Sequence, residues 1–216
     1  MSGILETISA AAFLAFFRLF PILNPPAMAP VFYEITSDTL EVQRNRIAFT
    51  VARYTFYLLI AVLLVGGWIL KILGVPIEFI GIAGGLLLFH TAWGMLNRGD
   101  RVTHTERKEI QDLTSKEFFP LTMPMTAGPG AIAVTLSMVP KDGIFTMAAI
   151  LDIVGTCAGI AASAITVWIF YRFSGDFISR LGENGKATIG QISAFVLLAI
   201  GVQLVWTSLK ALIATL

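Results

Sequence analysis

Pro21-Ile22-Leu23-Asn24-Pro25-Pro26-Ala27 and Pro124-Met125-Thr126-Ala127-Gly128-Pro129-Gly130 are two clusters of helix breakers, each inside a hydrophobic stretch long enough to cross a bilayer. Pro21 and Pro124, like Pro26 and Pro129, lie 103 positions apart, so the two stretches align without a gap. A proline inside a helix deletes a backbone hydrogen bond and collides with the carbonyl four residues back, costing roughly 3 kcal/mol or more unless the surroundings compensate. Interruptions at corresponding places in two halves of a membrane chain point to a solute site between them.

Composition sets the solvent. Hydrophobic residues make up 56% of the 216 and charged residues 13%, with a mean hydropathy of +0.80, against roughly 45–50% and about 25% in soluble domains. Six apolar blocks follow, at about 7–32, 47–70, 75–96, 118–140, 144–171 and 189–213. Each reaches the ~20 residues a spanning helix needs. Lipid offers backbone groups no partners, so all six are expected to be helical.

The one long charged stretch separates a first half, residues 1–97, from a second, 118–216, with a polar loop at 98–117. A unit of three crossings starts and ends on opposite sides, so its second copy has to be upside down. The expected fold is therefore an all-α membrane protein of six transmembrane helices in an inverted 3+3 repeat, with helices 1 and 4 broken at mid-membrane. The repeat is weakest in its third helix, where residues are inserted near Gly182-Glu183-Asn184-Gly185.

Lys and Arg set the orientation. Segments 33–46, 97–117 and 172–188 carry ten of them, and the opposite side has Lys71, Lys141 and Lys210. The first set is expected in the cytoplasm and both termini outside, with Trp68, Trp93, Trp168 and Trp206 anchoring the interfaces. The N-terminal apolar run lacks a basic n-region, carrying Glu6 instead, and is read as a retained helix rather than a secretory signal.

Each break frees carbonyls on the half-helix before it and N–H groups on the half-helix after it. Carbonyls suit a cation, whereas N–H groups at the positive end of a helix dipole suit a carboxylate. With each break about a dozen residues into its helix, the two are expected to meet and to divide a zwitterion between them. Asn24 adds an amide, and Thr122 and Thr126 add hydroxyls. Small residues at Gly128, Pro129 and Gly130 leave room for a small solute only. Carbonyls near Leu23 and Ala127 would suit Na+, and no cofactor is expected beyond a coupling ion, Na+ or H+.

Ionisable residues inside spans usually face the bundle interior or a cavity. Arg18 and Asp152 are expected at depths that permit a pair, serving coupling, gating or static packing. Arg53 is expected to snorkel, and His90 to be a packing residue rather than a proton relay. Glycines four apart at Gly81/Gly85 and Gly155/Gly159 allow close helix approach.

Several classes are disfavoured. A net charge of +1 without a basic run gives no footprint for nucleic acid. Cys157 is the single cysteine, read as a packing residue, which leaves no intrachain disulfide. No H-E-x-x-H, G-x-S-x-G or P-loop is present, so the chain is not expected to be an enzyme.

Asn24-Pro25, Gly81-Ile82-Ala83-Gly84-Gly85, Pro120-Leu121-Thr122-Met123-Pro124, Ala127-Gly128-Pro129-Gly130-Ala131 and Gly201-Val202-Gln203 together resemble the MarC family of prokaryotic membrane proteins. That family includes small neutral amino acid transporters (NAAT or SnatA-like). The likeness runs through nearly the whole chain, although Pro26 and Pro30 make its first break unusual. It implies six crossings in an inner membrane and, for the transporter members, movement of glycine, alanine and similar amino acids. Carried over by position, Asn24, Pro25, Gly128, Pro129 and Gly130 would form the central site. The function expected is ion-coupled secondary transport of a neutral amino acid by alternating access. The alternatives are a passive pore, or a membrane enzyme or accessory subunit without transport. A homo-oligomer is compatible with the sequence.

Overall fold

The computed structural model describes residues 2–98, 117–140 and 146–214, and these are helical throughout apart from short connections. The helices are α1 (Ser2–Leu23), α2 (Pro25–Ile35), α3 (Glu41–Ile72) and α4 (Ile77–Arg98), then a π-helical segment (Glu117–Thr126), α5 (Pro129–Ser137), α6 (Met147–Arg172) and α7 (Ser174–Ile213). Within α7 the chain turns at Gly182, whose φ of 63° and ψ of 179° no other residue type adopts readily.

Among the described residues five helices are long and apolar enough to cross a membrane: Gly3–Leu23, Glu41–Ile72, Ile77–Asn97, Met147–Arg172 and Gly185–Ile213. The apolar block at 118–140 is divided instead, ten residues of π-helix being followed by nine of α-helix. The charged loop, apart from Arg98 and Glu117, lies outside the described residues, as does Lys141.

Local chemistry sets the ends. Thr146 caps α6, its hydroxyl accepting from the N–H of Ala149 at 3.2 Å. Helix α3 carries Glu41 in its first turn and Lys71 in its last, both favourable to the dipole. It stops in a left-handed Gly74, with Gly74 N donating to Lys71 O at 3.2 Å and Val75 N to Leu70 O at 3.0 Å. Pro76 then prevents continuation, so α3 and α4 are joined by a tight turn.

Helix α1 starts earlier than the apolar run suggests. Thr7 and Ser9 hydroxyls bond back to the carbonyls of Gly3 and Glu6, which lets the polar beginning join the helix. Its 22 residues are about 33 Å long at ~1.5 Å per residue, comparable with a ~30 Å hydrocarbon core. Asn24 thus follows a full-length helix rather than a half-length one.

Packing depends on small residues. A Cβ on Gly155 would lie 2.5 Å from Ile8 O and 2.6 Å from Ala11 Cβ, and one on Gly159 would lie 2.5 Å from Ala12 O and 2.6 Å from Ala15 Cβ. Contacts that advance together along both helices mean that α1 and α6 run parallel at close range. Helices α4 and α7 run antiparallel, with Gly81 against Ser208 and Gly85 against Gly201. Between these pairs lies a core including Leu19, Leu23, Phe32, Val51, Leu59, Leu121, Ala127, Ala131, Ile160 and Tyr171. Phe13, Phe17, Leu64, Trp68, Leu86, Phe89, Ile165 and Phe195 face outward, the apolar exterior expected of a protein solvated by lipid.

Candidate functional site

Asn24 is the sole non-glycine among the described residues with positive φ (φ 47°, ψ 53°). Asn tolerates this left-handed conformation better than most residues. Its main chain is satisfied on both sides, N–H to Phe20 O at 2.9 Å and carbonyl from Met28 N at 3.0 Å. Its side chain is not. Only 5% exposed, it makes no capping bond to α2, and its Nδ2 has no partner.

The prolines around it remove further bonds. Pro25 and Pro26 have no N–H to offer the carbonyls of Pro21 and Ile22, and Pro21 withholds one from Phe17. The carbonyls of Pro21 and Ile22, at the end of α1, therefore have no N–H four residues on, while Ala27 carries the first N–H of α2.

At the second cluster a π-turn absorbs the disruption. Ala127 N donates to Thr122 O at 2.8 Å, one residue farther back than in an α-helix. The Thr126 hydroxyl donates to Leu121 O at 2.7 Å and lies 2.9 Å from the Tyr171 hydroxyl. A threonine hydroxyl has one hydrogen, so Tyr171 is the donor in the second bond. Gly128 is extended at φ −76° and ψ 178°, and its carbonyl accepts from Ala131 N at 3.0 Å and Ile132 N at 3.3 Å. Pro129 has no N–H, so Gly130 presents the first amide of α5. Leu88 occupies the space where a Gly130 side chain would go.

Tyr171 joins the two regions. It is fully buried, and its ring stacks on Phe32 of α2 at 4.4 Å and 13° while its hydroxyl bonds to Thr126. Leu23 and Ala127, beside the first and second clusters, belong to the same core. Pro25, Thr122, Thr126 and Gly130 are buried, Gly128 is half-buried, and Pro129 is exposed. The sequence reading missed Tyr171 because it falls at the end of its apolar block, where a tyrosine reads as an interfacial anchor. It also missed Thr55, fully buried on α3 with no partner for its hydroxyl.

Arg18 and Asp152 are not brought together. The parallel register sets Gly155 against Ile8, Ala11 and Ala12, which puts Asp152 level with the first turns of α1. Arg18 lies roughly ten residues farther along, about 15 Å at ~1.5 Å per residue. Asp152 is exposed. Arg18, also exposed, lines an open cavity of about 400 Å³ among α1, α4, α5 and α7. Arg53 and His90 face outward, Arg53 lying 5.9 Å from the Phe49 ring centre and 5.6 Å from that of Tyr54. Cys157 is half-buried against the core.

Residues 9–213 match the family model described as MarC family integral membrane protein. The UPF0056 membrane protein YvbG of Bacillus subtilis is 29% identical, the match covering 93% of this chain and 95% of that protein. A UPF0056 membrane protein of Archaeoglobus fulgidus is 31% identical over 91% of each, and YhcE of Escherichia coli 29% over 93% and 92%. No solved structure matches. With a family model spanning nearly its full length and a relative above 30% identity along both chains, this chain belongs to the MarC family of integral membrane proteins.

Proposed function

We propose that the chain is a secondary transporter of small neutral amino acids of the glycine and alanine type. A Na+ or H+ gradient drives it, and it alternates access between inverted halves 1–97 and 118–216 of an inner-membrane protein whose termini face outward. The Glu117–Ser137 stretch makes the sixth crossing. The pairing of helices supports the inversion. α1 lies on α6, as the Glu117–Ser137 stretch lies on α3; α2 lies on α7, as α5 lies on α4. Exchanging the halves reproduces these principal pairings.

The observation that carries the reading is the orphaned amide of Asn24. A buried donor without a partner costs about 1–3 kcal/mol, and Asn24 is only 5% exposed. A carboxylate arriving there would accept from it, with Gly130 N–H at the start of α5 as second donor. The carbonyls of Pro21 and Ile22, which proline denies an N–H four residues on, suit the ammonium or a coupling Na+. Pro25, Thr122, Thr126, Gly128 and Pro129 shape the space between, and no covalent step is involved.

Purified protein in proteoliposomes is expected to take up labelled glycine or alanine saturably and to support counterflow. Flux linear in concentration would indicate a pore, and no flux from folded protein would refute transport. Asn24→Gly keeps the left-handed backbone at little cost but lacks the amide. It is expected to fold normally and bind substrate at least ~10-fold more weakly, since a hydrogen bond to a charged group contributes about 1.5–3 kcal/mol. Unchanged affinity would remove Asn24 from the site.

A further inference from the structure

Thr55, midway along α3, is fully buried, and its hydroxyl has no partner. Other buried hydroxyls behave differently. Those of Thr36, Thr50, Thr135 and Ser163 each donate to the carbonyl four residues back, at 2.7–3.0 Å. That bond is the usual resting place of a hydroxyl within a helix, and Thr55 does not make it. Its face of α3 also carries Val51 and Leu59, four residues to either side, and both belong to the core that holds Leu121 and Ala127.

The glycines of α3 give its depth. Leu136 occupies the space where a Gly66 side chain would go, and a Cβ on Gly67 would lie 3.1 Å from Val139. α3 and α5 thus meet near their C-terminal ends, and the π-helix packs on α3 as well, so the Glu117–Ser137 stretch runs beside α3 in the same direction. Thr55 is eleven residues before Gly66 and Thr126 ten before Leu136, about 16 and about 15 Å at ~1.5 Å per residue. Thr55 is therefore level with the end of the π-helix. Pro129 has no N–H, which leaves Met125 O without a donor four residues on and Pro124 O without one five residues on, the π-helical partner. Ala131, four residues beyond Ala127, gives its N–H to Gly128 O at 3.0 Å instead. The carbonyls of Pro124, Met125 and Ala127 end the π-helix without their customary donors, at the negative pole of its dipole.

We infer that Thr55 and the carbonyls closing the π-helix form a binding site for a dehydrated Na+ ion. Oxygen dipoles from an interrupted helix replace the water that such an ion sheds. Among the described side chains no carboxylate is buried. The wall therefore supplies partial charges, suited to a single positive charge and poor for a divalent ion, which binds through carboxylates. Pro21 O and Ile22 O, at the first break, are left for the ammonium of a solute. As a coupling site it rests on the transport reading; as a Na+ site it does not.

The unfolding midpoint of the purified protein in phosphatidylcholine nanodiscs is measured without amino acid, Na+ replacing choline at constant ionic strength. Na+ is expected to raise the midpoint saturably, and K+ is not. Thr55→Val exchanges the hydroxyl for a methyl of nearly the same size. It is expected to be at least as stable as the wild type in choline, having no hydroxyl to strand, and to need at least tenfold more Na+ for the same shift. Thr55→Ser keeps the oxygen and is expected to keep the response. Thr55→Ala, smaller than either, repeats the test if the valine variant does not fold. A wild type that Na+ stabilises no more than K+ overturns the inference. So does a valine or alanine variant with an undiminished Na+ response, or loss of the response in the serine variant as well. Na+ stabilisation without amino acid uptake would leave this site standing and end the transport reading; uptake driven by a proton gradient in Na+-free buffer, with no Na+-specific shift, would do the reverse.

Discussion

Replacing Tyr171 with Phe removes one oxygen from the interior and leaves its ring in place. The hydroxyl donates to Thr126 at 2.9 Å, while the ring stacks on Phe32 at 4.4 Å. Such a stack contributes about 0.5–1.5 kcal/mol beyond area burial, and Tyr171→Phe keeps it. What is lost is one hydrogen bond, about 0.5–1.5 kcal/mol net, with interhelical bonds in membranes averaging ~0.6 and reaching ~1.7 kcal/mol. A loss of about 1 kcal/mol is expected. Thr126→Val is nearly isosteric but deletes two bonds, the 2.7 Å donation to Leu121 O included, and strands the Tyr171 hydroxyl in a fully buried position. Stranding costs about 1–3 kcal/mol, so Thr126→Val should cost about 2 kcal/mol or more. The double variant has no stranded hydroxyl and should be about 1 kcal/mol more stable than Thr126→Val alone. Reversible unfolding of the four proteins in mixed micelles measures this cycle. Strict additivity of the two single losses, or a double variant less stable than Thr126→Val, would refute the hydrogen-bonded link between α2, α6 and the π-turn.

Two other substitutions test the packing. Gly159→Val forces a side chain into Ala12 O and Ala15, whose atoms lie within 2.6 Å of the first carbon alone. It should destabilise the protein by about 1–3 kcal/mol or more, seen as a lowered unfolding midpoint; an unchanged midpoint would place α1 elsewhere. Arg18→Asp combined with Asp152→Arg should not recover what either change loses, because roughly ten residues of helix, about 15 Å, separate their levels. Rescue of uptake or stability by the double reversal would contradict the parallel register of α1 and α6.

Membrane character was legible because apolar blocks of spanning length leave lipid as the one suitable solvent, and five of them are single helices of that length. The glycine pairs were legible for an equally local reason. Gly155 with Gly159 and Gly81 with Gly85 each present one bare helix stripe, and both stripes meet a neighbour. Longitudinal register was not legible. Depth inferred from the start of an apolar run misplaces Arg18 against Asp152, because α1 begins at Ser2 and no local residue announces how far two helices slide. Proline told where hydrogen bonds would be lost, not that a left-handed Asn24 and a π-turn would absorb the loss. The Tyr171 link and the cavity at Arg18 depend on which residues from distant elements converge, and no spacing within the chain encodes that.

The α1–α6 pairing bears on how the protein is made. Helix α1 leaves the ribosome well before its close partner α6, from which more than a hundred residues separate it. Until then its small-residue stripe rests against lipid tails, which solvate Ala and Gly without penalty. Waiting is therefore harmless to α1, but a nascent chain stopped before α6 keeps a span without its principal partner. Quality-control proteases that extract loosely held spans have a clear target in every incomplete copy, and the finished bundle withdraws that target in its last steps of assembly.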